Sequence, residues 1–90
     1  MAQVTINITG AENATAKWNG DLKSLTGGAG SFTTTFDSAK GSFLYAIVVF
    51  GRRSDPWTAS VTDATTTHNH AGHMSPAGVD TTGDTLFEVR

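Results

Sequence analysis

Period-two alternation of apolar and polar residues runs through most of this chain. QVTINIT (3–9) sets Val4, Ile6 and Ile8 on one face and Thr5, Asn7 and Thr9 on the other. That spacing predicts a strand with one face on a core. SFTTTFD (31–37) puts Phe32, Thr34 and Phe36 on one side, and WTASVTD (57–63) turns Trp57, Ala59 and Val61 inward. SFLYAIVVFG (42–51) is different, because both faces are apolar. Phe43, Tyr45, Ile47 and Val49 face one way; Leu44, Ala46, Val48 and Phe50 face the other. Such a strand is expected to be covered on both sides, by a helix, a folded-over loop or another subunit. TLFEVR (85–90), with Leu86, Phe87 and Val89, is expected to pair with the sheet as a terminal strand.

Turn chemistry divides these runs. TGGAG (26–30) reads as flexible punctuation, SAKG as a turn, and RRSDP (52–56) as the turn of an antiparallel hairpin between 42–51 and 57–63. Residues 11–25 admit two readings. As a helix, Ala14, Trp18, Leu22 and Leu25 share a stripe, with Thr9 and Glu12 as a capping box. As strands, Ala14, Ala16 and Trp18 alternate with Thr15 and Lys17, and Asn19-Gly20 makes the turn. Asn-Gly inside a helix costs about 1.5 kcal/mol relative to two alanines, which favours the strands. The segment 64–84 has little hydrophobic signal. It reads as a long polar loop, with room for a short strand at Thr65–His70. The expectation is a single all-β domain over residues 1–90, a small antiparallel β-sandwich, immunoglobulin-like in layout. The alternative is an α+β domain with one helix at 11–25 packed on an antiparallel sheet.

Composition narrows the partners. Threonine is abundant, and β-branched residues suit a pleated, half-buried surface. A chain of 90 residues buries only about 60–65% of its unfolded surface, so its stability margin is thin. Net charge is −2, and the six Lys and Arg are scattered. That argues against nucleic acid and against a polybasic membrane patch. Cysteine is absent, so catalytic thiols and disulfides do not enter. MAQVTINITG lacks the basic start and apolar core of a signal peptide, and no apolar run approaches a membrane span. A cytoplasmic location is expected if the chain is the full gene product.

The candidate chemistry centres on THNHAGHM (67–74), which holds all three histidines. If 65–70 is extended, His68 and His70 project from one face. Gly72 would then let the chain turn and bring His73 back. Asp63 and Asp80 lie near enough in sequence to add an oxygen. Three imidazoles with an open position suit Zn, Ni or Cu, and Met74 suits copper(I). The spacing H-x-H-x-x-H matches no defined zinc motif, and a solvated polar loop is the simpler account. A histidine cluster is also a pH switch in principle, since imidazole charges between pH 5 and 8. Trp18, Tyr45, Trp57 and Phe50 are candidates for a sugar-stacking platform. Inward alternation assigns Tyr45 and Trp57 to the core and leaves Trp18, beside the Asn-Gly turn, as the ligand contact. The aspartates fall mostly at turns and nominate no catalytic pair.

The functional expectation is a non-enzymatic interaction or ligand-binding module with no obligatory cofactor. The alternatives are a metal-binding or metal-sensing protein through His68, His70, His73 and Asp63, and a carbohydrate-binding module. The partner is an unidentified protein or small ligand. Self-association is expected unless residues 11–25 cover the second face of 42–51.

Overall fold

A computed structural model describes residues 2–28 and 30–90 of the chain. Among the described residues, ten strands form two antiparallel sheets packed face to face. The first sheet has the order β4(Thr26–Gly28), β5(Ser31–Ser38), β1(Ala2–Thr9), β7(Pro56–Thr62), β8(Thr67–His73). The second has the order β10(Thr85–Val89), β6(Gly41–Phe50), β2(Asn13–Trp18), β3(Asp21–Lys23). β9(Val79–Thr81) joins β6 on the same flank as β10.

The sandwich follows from the alternation. Val4, Ile6 and Ile8 of β1 and Trp57, Ala59 and Val61 of β7 are buried from one sheet. Ala14, Ala16, Trp18, Tyr45, Ile47, Val49, Phe87 and Val89 are buried from the other. The two inner faces interdigitate into one core, as aligned sheets do. Residues 11–25 are strands and not a helix. Asn19 and Gly20 both have positive φ, 52° and 83°, which is what a two-residue hairpin turn needs. Trp18 precedes that turn, yet it is only 4% exposed. It stacks among Phe36, Phe43, Tyr45 and Phe87, with ring centroids 5.2–6.3 Å away.

Four expectations change. The runs 42–51 and 57–63 do not form a hairpin: β6 and β7 lie in opposite sheets, and RRSDP carries the chain across the sandwich. The segment 64–84 is not a continuous loop, because it contains β8 and β9. The inward positions of β8 are histidine and glycine, which is why apolar periodicity did not reveal it. In TGGAG, residues 26–28 form the edge strand β4, and Ala29 lies outside the described residues. Finally, of the three covers expected for the second face of β6, the helix and the folded-over loop drop out, which leaves another subunit as the expectation. Among the described residues no helix or folded-over loop lies on that face, and Leu22, Leu44, Phe50 and Leu86 are 66, 51, 41 and 59% exposed. Residues 11–25 run beside β6 in the same sheet, so they cannot cover it.

β9 and β10 act as one strand broken by an extra residue. Val48 pairs with Thr81 and Tyr45 with Thr85, so two residues of β6 span three on the other side. This is a β-bulge. Threonine side chains repair the ladder there. Ile47 N–H donates to Thr82 Oγ1 at 3.0 Å, and Thr81 Oγ1 donates to the Ile47 carbonyl at 2.8 Å.

Candidate functional site

β8 is an edge strand that, among the described residues, pairs only with β7. Its register sets Val61 beside His68, Ala59 beside His70 and Trp57 beside Gly72. The three β7 residues are buried in the core. By alternation, His68, His70 and Gly72 therefore occupy the inward positions of β8, where an ordinary sandwich would place aliphatic side chains. Their half-burial agrees with that, while Asn69, Ala71 and His73 are exposed on the outer face.

Across the sandwich, the inward histidines meet Tyr45 of β6. The Tyr45 hydroxyl lies 3.1 Å from His68 Nδ1 and 2.6 Å from His70 Nε2. Thr85, paired directly with Tyr45, sets its side-chain hydroxyl beside the phenol. Phe87 packs on the His68 ring at 4.7 Å between centroids. A phenol has one proton to give, so it donates to one imidazole and accepts from the other. The ring nitrogen that receives the phenol proton must then be unprotonated, and the one facing it across the hydroxyl must carry a proton. Burial holds the Tyr45 hydroxyl above the usual phenol range, offset in part by Thr85, so it keeps its proton. Burial, and then the charge of His68, push His70 below the usual imidazole range.

Next along the seam, Trp57 Nε1 donates to Asp80 Oδ2 at 2.9 Å. Gly72 lies beneath this bond. A Cβ at residue 72 would stand 2.6 Å from Asp80 Oδ2 and 3.0 Å from Trp57 Nε1. Crowding therefore favours glycine here, since the Asp80 side chain of the other sheet and the Trp57 indole of the neighbouring strand lie against it.

The residues nominated as metal ligands do not converge as a set. His68 and His70 share a face, as the two-residue spacing implies. His73 does not join them, because Gly72 sits within an unbroken strand and alternation sends His73 outward. Asp63 is committed elsewhere. It accepts from Thr65 N at 2.9 Å, Thr66 N at 2.8 Å and Thr65 Oγ1 at 3.2 Å, and so builds the β7–β8 turn. Desolvation raises its affinity for a proton, but these bonds and Arg90 outweigh that, and its carboxyl sits below the usual range. Met74 is buried in the core. Among the described residues, no three histidine, aspartate or glutamate side chains gather as a metal site requires. Trp18, Tyr45 and Trp57 are all buried, and Phe50 lies on the outer face of the other sheet, so no aromatic platform forms. The expected ligand contact at Trp18 is therefore corrected to a core position.

A concavity sits instead on the outer face of the first sheet, over β7. Its volume is about 480 Å³. Asn7 and Thr9 of β1, Thr58 and Ser60 of β7, and Asn69 and Ala71 of β8 line it. The register explains its form. Asn7, Ser60 and Asn69 fall in one cross-strand row, and Thr9, Thr58 and Ala71 in the next. Small side chains along the central strand leave a trough between longer ones. Thr33 Oγ1 donates to Asn7 Oδ1 at 2.6 Å, which fixes the amide and turns its NH₂ away from that bond. Thr9 and Thr58 hydroxyls bond each other at 2.5 Å.

Sequence reading missed two parts of this surface. Tyr45 read as simple core packing. The Asn7–Ser60–Asn69 row read only as three solvent-facing polar positions on separate strands. The available signal was the H-x-H-x-G run, once recognised as the inner face of a strand. Comparison with protein-family models, curated proteins and solved structures yields no match to this chain, so the reading rests on its own geometry.

Proposed function

We propose that this chain is a non-enzymatic ligand-binding module, and that the trough over β7 takes a neutral, hydroxyl-rich ligand of the carbohydrate class. The trough itself carries the reading: a concavity of about 480 Å³ on a strand framework, lined by amides, hydroxyls and threonine methyls. Amides both donate and accept, as a sugar hydroxyl does, and methyl groups pack on sugar C–H faces. Among the described residues, no Asp, Glu, Lys or Arg lines it, which favours an uncharged ligand over a phosphate or a carboxylate. Residues on paired strands are held with little conformational freedom, so little ordering is required on binding.

Amide NMR spectra titrated with a panel of neutral oligosaccharides test this. The expected response is confined to residues around Asn7, Ser60 and Asn69. Asn69→Ala should weaken binding about threefold to tenfold, the worth of one hydrogen bond. Absence of any response across the panel at millimolar sugar, or a response centred on the opposite sheet, overturns the reading.

A further inference from the structure

We propose that the Tyr45 hydroxyl and the His68 and His70 rings together accommodate one added proton, and that a second loosens β8 from the sandwich. The geometry bears directly on this. The chain of contacts His–Tyr–His is complete, at 3.1 and 2.6 Å, and with both rings uncharged the one phenol proton satisfies it. One added proton is accommodated by reversing the phenol. The charged ring becomes donor on both nitrogens, and the phenol turns its own proton to the neutral ring. A second proton has no such accommodation. Both rings then donate to one oxygen, the phenol proton has only the Thr85 hydroxyl to turn to, and two positive charges face each other across it.

The surroundings offer the charge little help. β7 contributes Ala59 and Val61 beside the rings, and β10 contributes Thr85 and Phe87. From β9 comes the Asp80 carboxylate, which the Trp57 indole already engages above Gly72. From β6 comes Tyr45 itself. His70 is accordingly held below the usual imidazole range by burial and by His68. His73 lies on the outer face and takes no part.

The mechanical consequence follows from topology. β8 pairs with a single neighbour, and its inner-face polar tie to the second sheet runs through Tyr45. Water solvates an imidazolium better than this seam does, so acidification favours states in which β8 has swung the rings outward. Asn69 and Ala71 on the same strand form one wall of the trough. On the proposed function, a bound ligand would therefore be released in acid.

Native-state hydrogen exchange of the unmodified chain, with side-chain nitrogen spectra of the histidines, tests the latch between about pH 7 and about pH 5. The expected result at neutral pH is two neutral rings with fixed tautomers. On acidification, β8 amides should lose protection at least severalfold after correction for intrinsic rates, while β1 and β5 amides hold theirs. Tyr45→Phe should show the weakened β8 at both pH values, and His73→Gln should behave as the native chain. Unchanged β8 protection across this range overturns the proposal, as does independent titration of both rings like free histidine. Loosening of β8 in a chain that binds no sugar at either pH supports the latch and removes the ligand reading.

Discussion

At Tyr45 one hydroxyl serves two imidazoles in a place where a phenylalanine would pack as well. Replacing it by Phe leaves the ring stacking with Trp18 and Phe87 in place and removes only the oxygen. The half-buried ring nitrogens then lack their partner, which costs about 1–3 kcal/mol. Urea denaturation should show that loss, with little change in the slope against denaturant. Gly72→Ala should cost a similar amount, about 1–3 kcal/mol, by crowding Asp80 and Trp57. Asp80→Ala in the same chain should recover part of it, because the two sites share one contact. Inward residues such as Ile6 and Val61 were legible from alternation, since burial acts on each strand separately. The role of Tyr45 was not, because its partners lie 23 and 25 residues further along the chain and in the other sheet.

Among the elements, β6 shows most plainly what a pattern can and cannot convey. Its inner face packs the core with Tyr45, Ile47 and Val49, and its outer face leaves Leu44 and Phe50 in solvent. The two faces should answer mutation differently. Ile47→Ala is expected to cost about 2–5 kcal/mol as a cavity in the core. Leu44→Thr should stay within about 0.5 kcal/mol. Thermal unfolding of the pair distinguishes a covered outer face from an open one, since a large loss at Leu44 would mean that it is buried. Two-sided hydrophobicity thus led to the expectation of cover on both faces of β6, but did not tell which face meets the core or what lies over the other. β8 is the converse case. Its existence was foreseen only in part, because histidines and glycine at inward positions carry no apolar signal. The turn that launches it is built by Asp63, whose three accepted hydrogen bonds are also local.

For the molecule as a whole, these groups predict how stability follows pH. His70 has its folded pKa lowered from 6.5, so the unfolded chain binds the proton first as pH falls. Its contribution is complete above about pH 6.5 and is lost as pH drops from there through the folded value. Asp63 is lowered from 3.8, so its contribution stands above that pH and is lost below it. Both act in the same direction. Denaturation midpoints should therefore decline in two steps on acidification. His70→Gln should flatten the first step and leave the second, and a single decline confined to the carboxylate range would contradict the role given to His70.

Alternation pointed to an all-β chain and to most of the residues that enter the core, and the Asn19-Gly20 pair marked a reversal. These are properties of short stretches, set by backbone geometry and by the advantage of removing apolar side chains from water. Tertiary structure alone decided that RRSDP crosses between sheets and that His73 parts company with His68 and His70. It also decided that three polar positions on separate strands make a trough. Sheet membership and cross-strand register arise only when distant segments pair. No local pattern holds that information.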